Sequence, residues 1–302
     1  MAVLPAVLAA FLLGGCAPTA ASPNPGPPPA APPSASPSSS PAIASIGPDP
    51  FTAGLGKAPT VKAPAAAPAR NDLADPRKKD VAMQLLSSAE NSSLDWRAQY
   101  RYIEDIGDGR GYTGGIVGFC SGTGDMLNVV QRYARQTPGN SLARYLPALR
   151  EVKGGDSHDG LDPSFTADWI AAAGTRGFQL AQDAERDTMY FTPALTAAHQ
   201  DGLRPLGQFA YFDAAVMHGA DALPKLRKQA AAVAGPPSQG GDEVAYLSAF
   251  LDARVALMKY EPAHRDTTRI ETEQRVFLDQ RNLDLALPLS WRVYGASYTI
   301  SR

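Results

Sequence analysis

Residues 75–115 read DPRKKDVAMQLLSSAENSSLDWRAQYRYIEDIGDGRGYTGG, and this stretch decides the reading of the fold. Asp75-Pro76 is a helix start: a carboxylate able to accept from the open amides of the first turn, followed by a residue with no amide of its own to satisfy. Val81, Ala82, Leu85, Leu86 and Ala89 then recur at helical spacing, which places Glu90 at or near the end of that helix. Asn91-Ser92-Ser93 breaks the pattern, and a second helical stretch is expected from about Asp95 to Ile103. Gly107, Gly109, Gly111, Gly114 and Gly115 then interrupt the chain with loop and turn chemistry.

Working toward the C-terminus, residues 112–119 alternate weakly and predict a strand. Helical patterns return over about 124–136, 141–152, 164–186, 203–217, 221–234, 242–258 and 266–280. Strands and helices do not alternate regularly, which disfavours a parallel doubly wound sheet. The expected fold is mainly α with a small β element near 112–120, and there is no internal repeat.

Working toward the N-terminus, the character of the chain changes. Of its 27 prolines, 15 lie in residues 17–70, where Ala, Ser and Gly fill most other places and only Asp49, Lys57, Lys62 and Arg70 are charged. Such a segment cannot bury a core and reads as a semi-extended linker. Residues 1–16, MAVLPAVLAAFLLGGC, form an apolar run closed by small residues, the pattern of a secretory leader. Leu13-Gly14-Gly15-Cys16 resembles a bacterial lipobox, in which Cys16 is lipidated and the linker becomes a tether. No Lys or Arg precedes the apolar run, so an ordinary cleaved signal peptide is the alternative. Either way the protein is expected outside the cytoplasm, secreted or anchored to the outer face of the cell membrane.

Residues 71–302 remain as one folded unit, with 29 acids against 25 bases. That mild deficit disfavours a nucleic-acid partner and suits a cationic ligand. Cys120 is the one cysteine in this part of the sequence, so the unit must hold through its own core, without an internal disulfide.

Several short motifs compete for attention. Gly109-Arg110-Gly111-Tyr112-Thr113-Gly114 matches GxGxxG, but it follows Glu104-Asp105-Ile106-Gly107-Asp108, where a dinucleotide fingerprint needs an apolar strand before it and a helix after it. A tight Gly-rich turn explains it better. Gly118-Phe119-Cys120-Ser121-Gly122 resembles a nucleophile elbow with Cys at its centre, and His218 or His264 offers a base, but the many-stranded sheet that such an elbow requires is missing from the pattern. A small buried Cys is the preferred reading. His158, His199, His218 and His264 show no paired spacing, so no metal or other cofactor is called for. Glu90 and Asp108 form a helix-end and loop pair of carboxyl groups suited to acid and base work. By spacing alone they are one pair among many in a chain with 30 acids.

Longer motifs separate them from the rest. Ser87-Ser88-Ala89-Glu90-Asn91-Ser92-Ser93-Leu94-Asp95-Trp96, followed by Tyr102 through Gly115, resembles the bacterial chitosanases of glycoside hydrolase family 46. The likeness continues through Gly118–Asp125, Gln208-Phe209-Ala210-Tyr211, Gln239-Gly240-Gly241-Asp242-Glu243 and Thr272-Glu273-Gln274-Arg275-Val276-Phe277. It covers residues 71–302 and none of the linker.

The resemblance implies a lysozyme-like α+β fold of two helical lobes with a substrate cleft between them, and endo-acting, inverting hydrolysis of β-1,4 bonds in chitosan without a cofactor. It implies Glu90 as general acid, Asp108 as general base and Thr113 as a holder of the attacking water. Asp125, Arg110, Tyr190, Glu261 and His264 match substrate-binding positions, and Asp213, Arg254 and Arg269 match an ion network behind the acid. Arg265 stands where family members often carry an acid, a departure that adds positive charge near a cleft for a polycation. Trp96 reads as core sooner than as a sugar platform. The expected partners are chitosan or glucosamine oligosaccharides, met by a monomer. The alternatives are a lysozyme-like peptidoglycan hydrolase and a non-catalytic polysaccharide-binding lipoprotein.

Overall fold

The computed structural model describes residues 71–260 and 265–301. The leader, the linker, Cys16, Glu261 and His264 lie outside the described residues.

Helix α1 spans Pro76–Asn91 and begins as its sequence dictates, with the Asp75 carboxylate accepting from the amides of Arg77 and Lys78. It ends where Ser92 turns left-handed at φ 49°, leaving Glu90 in the last turn. The next segment departs from expectation. Trp96–Arg101 is a short 3-10 turn capped by Asp95, and Ile103 belongs to a strand instead of a helix. That strand, β1 (Ile103–Asp105), pairs antiparallel with β2 (Tyr112–Gly114), which pairs with β3 (Phe119–Cys120). The expected single strand over 112–119 is therefore two strands joined by a turn. Gly115 and Gly118, both at positive φ, reverse the chain where the sequence showed only weak alternation.

Six elements follow the sheet: α2 (Asp125–Gln136), a 3-10 turn Ser141–Tyr145, α3 (Leu146–Glu151), α4 (Phe165–Ala173), α5 (Arg176–Arg186) and a π turn Asp187–Phe191. The predicted helix 164–186 is thus broken at Gly174, after which the Thr175 hydroxyl caps a new helix. The π turn runs straight into α6 (Thr192–Asp201), which the sequence pattern did not show, and then α7 (Pro205–His218), α8 (Leu223–Ala231) and α9 (Glu243–Tyr260) follow. Residues 266–280, expected as one helix, instead comprise a π turn Ile270–Gln274 and the short α10 (Arg275–Asp279). A hairpin of β4 (Leu289–Val293) and β5 (Ala296–Ile300) closes the chain and was also missed.

These elements pack as two lobes. In one, α4 lies against β1 and the 96–101 turn while α2 packs on α3, α5 and β3; in the other, α6 packs on α7, α8 on α9, and α10 on α9. Helix α1 touches both, through the 96–101 turn and α7. Every residue of α7 is buried, the mark of a helix at the centre of a core, so a charge on it must be neutralised by partners. Trp96 and Cys120 are core residues, as expected.

Candidate active site

Four of the candidate residues meet behind the end of α1. Asp213, on the buried α7, is 1% exposed, and burial raises the cost of its charge. Two guanidinium groups answer that cost: Arg254 Nη2 from α9 lies 2.8 Å from Asp213 Oδ2, and Arg269 Nη2 lies 2.5 Å from Oδ1. The Gln274 amide donates to the same carboxylate at 2.8 Å. Burial alone would push this carboxyl group up; the arginines overcome it and hold it at about 2. Arg269 then uses its other terminal nitrogen, Nη1, to reach Glu90 Oε1 at 2.7 Å. One guanidinium therefore bridges the buried carboxylate and Glu90, whose side chain remains 13% exposed.

A second cluster forms on the loop between β1 and β2. Asp108 Oδ1 accepts the Arg110 amide at 3.1 Å, the short local turn that Asp favours. Its Oδ2 accepts from Arg110 Nε at 2.8 Å and from Arg110 Nη2 as well, a two-point grip on a carboxylate. Thr113, 8% exposed, sits on β2 opposite Glu104 on one side and Cys120 on the other, with its Oγ1 3.5 Å from Cys120 Sγ. Asp125 opens α2, in a position the helix dipole favours for an acid, and its Oδ2 accepts from Thr123 Oγ1 at 2.8 Å. Tyr190 lies in the Asp187–Phe191 turn and is 6% exposed, so little of its surface is open. Arg265 is exposed.

The structure adds residues that the sequence reading did not single out. Tyr102 donates toward Glu104 Oε2 at 3.5 Å; burial first, then the charges of Glu104 and Asp108, push its phenol to about 12. Tyr294 stands in the β4–β5 turn within the field of Arg269, Glu90 and Asp213, its phenol also raised to about 12, chiefly by burial. The alternation Leu289, Trp291, Val293 was a legible strand signal, although Tyr294-Gly295 does not mark the turn that follows it. Nothing local marks Tyr102.

In sum, Glu90 is a carboxyl group anchored from the protein interior at the end of a helix, and Asp108 is one clamped on a separate loop. Two carboxyl groups so differently supported have the parts needed for acid and base roles.

Comparison with known proteins finds relatives over most of the chain. The model of the family described as glycosyl hydrolase family 46 matches residues 84–289. A chitosanase of Streptomyces sp. (strain N174) is 60% identical over 254 residues, covering 83% of this chain and 91% of that protein. Among solved structures, a chitosanase crystallised with substrate is 56% identical with a TM-score of 0.73, covering 76% of this chain and 99% of the other. The chitosanase of Gynuella sunshinyii in complex with chitotetraose is 33% identical with a TM-score of 0.68, covering 75% of this chain and 98% of the other.

Proposed function

This chain belongs to glycosyl hydrolase family 46, and from that premise we propose that it hydrolyses β-1,4 bonds within chitosan chains, with inversion at the anomeric carbon. The observation that carries the reading is the pair of separately braced carboxyl groups, Glu90 on Arg269 and Asp108 on Arg110. Glu90 protonates the glycosidic oxygen as the bond to the anomeric carbon breaks. Asp108 takes the proton of a water that attacks the opposite face, and the Thr113 hydroxyl helps hold that water. An inverting pair needs room for this water, with carboxyl groups roughly 6.5–9.5 Å apart, and mounting the base on a loop separate from the acid suits that need. Arg269 is useful on both sides of the step: it orients the Glu90 carboxyl group and stabilises the carboxylate left behind.

Chitosan carries ammonium groups at mildly acidic pH, so its recognition calls for acids and hydrogen-bonding side chains. We assign Asp125 to seating a glucosamine unit, with Arg110, Tyr190, Glu261 and His264 as further contacts to the sugar chain. Residues 1–16 direct export, residues 17–70 tether the catalytic unit 71–302, and Cys16 is the lipidation candidate; a Cys16→Ser change that leaves lipid labelling intact would remove that assignment.

The purified chain is to be offered highly deacetylated chitosan, chitin and peptidoglycan side by side, with reducing ends counted and the first anomer formed read by proton NMR. Rapid cleavage of chitosan with the α anomer appearing first is expected. A first-formed β anomer would remove the inverting assignment, and turnover of peptidoglycan alone would replace chitosan as the substrate.

A further inference from the structure

Among the described residues, one buried acid behind Glu90 forms no ion pair and leaves one carboxyl oxygen without a hydrogen bond. Glu273 lies in the Ile270–Gln274 π turn, is 1% exposed, and has an Oε2 that accepts no hydrogen bond. Among the described residues it forms no ion pair, whereas Asp213 forms two. The charged groups facing it are Asp213 from α7, Arg254 from α9 and Arg269 from the segment just before the turn. Glu90 from α1 and Tyr294 from the β4–β5 turn face the same Arg269. The Nε atoms of Arg254 and Arg269 are likewise buried without hydrogen-bond partners. A carboxylate withdrawn from water with neither a donor nor a cation in contact is much costlier than the neutral acid.

We propose that Glu273 is a positioning residue for the proton donor: it keeps its own proton, so that two guanidinium groups face only Asp213 and the carboxylate that Glu90 becomes. This rests on Glu90 being the donor. With Glu273 neutral, the charges of Arg254 and Arg269 are matched by Asp213 and ionised Glu90, so the cluster is balanced in the state that follows proton transfer. A charged Glu273 would set three carboxylates against two guanidinium groups and oppose release of the proton from Glu90. Burial, and after it the negative charge of Asp213, pushes the Glu273 carboxyl group well above the ordinary range, against the pull of Arg269 and Arg254.

The test uses infrared difference spectroscopy on the full chain at neutral pH, with Glu273→Gln and Glu90→Gln variants. A protonated-carboxyl band that survives Glu90→Gln and is missing from Glu273→Gln is expected. A band abolished by Glu90→Gln, or no band at all, overturns the proposal.

The kcat profile gives a second reading. If Glu273 is neutral, the alkaline limb stays in place in Glu273→Gln; a limb displaced to lower pH would mean a negative charge had been removed, which also overturns it. Should Glu273→Gln not fold, proton release on unfolding of Glu90→Gln near pH 7 decides: one carboxyl proton set free supports the proposal and none sinks it. Full turnover in Glu90→Gln would instead remove the donor role on which the proposal stands, whatever the band shows.

Discussion

Arg269 is shared by two carboxyl groups of different purpose, and its division between them governs the site. Asp213 takes one terminal nitrogen at 2.5 Å and Glu90 the other at 2.7 Å. Removing the Asp213 carboxylate strands Arg254 and Arg269 in the interior, so Asp213→Ala should lose about 3–5 kcal/mol of stability, read from urea unfolding, and lose turnover with it. On the Asp108 loop the effect should be kinetic: Arg110→Ala frees a carboxylate that is now gripped at two points. Its turnover should fall about tenfold to a hundredfold, since misplacement at an otherwise intact site costs that order, while thermal stability barely moves. These roles were legible only in part. Glu90 and Asp108 stood out through long ordered motifs and not through spacing. Glu273 was invisible as a buried acid because Thr272-Glu273-Gln274 reads like the polar face of a helix. Only the fold shows that Glu273 and Gln274 turn inward while Thr272 stays exposed.

At the scale of elements, the sequence spoke clearly where local chemistry decides and poorly where packing does. Asp75-Pro76 set the start of α1 because capping is a matter of a few neighbouring atoms. Helical periodicity runs unmarked through the break of the 164–186 pattern at Gly174 and through the π turns at 187–191 and 270–274. The β4–β5 hairpin turns on Tyr294 and Gly295, at φ 48° and 82°, and a Tyr is a poor advertisement for such a turn. The loop carrying Asp108 depends on a close approach at Gly122, whose amide donates to the Arg110 carbonyl at 2.9 Å and whose carbonyl accepts from Gly154 at 2.7 Å. A Cβ there would stand 2.1 Å from the Gly155 carbonyl oxygen. Gly122→Ala should therefore cost about 1–3 kcal/mol and lower turnover as well, because the displaced strand end carries Arg110 with it. Chemical unfolding and initial rates on the same preparation check both effects.

For the whole molecule, acid stability follows from the buried cluster. The Asp213 carboxyl group lies at about 2 in the folded chain against an ordinary 3.8, a depressed value. Its contribution, about 2 kcal/mol, is thus fully present above pH 4 and is lost as pH falls toward 2. Urea midpoints should hold down to about pH 4 and then drop, and Asp213→Asn should show less of that drop. The division of the chain into residues 1–70 and 71–302 is an expectation from composition, since a segment rich in Pro, Ala and Ser offers too few apolar residues for a core. The two-lobed arrangement was not readable that way, because α1 meets the second lobe at the buried α7, far from it in sequence. The proposed activity needs both carboxyl groups, so the most direct measurement is reducing-end release from chitosan by the wild type, Glu90→Gln and Asp108→Asn at equal concentration, with melting temperatures taken alongside. Turnover in both variants should fall at least about a hundredfold with melting temperatures close to that of the wild type; near-normal release by either folded variant would contradict the role assigned to that residue.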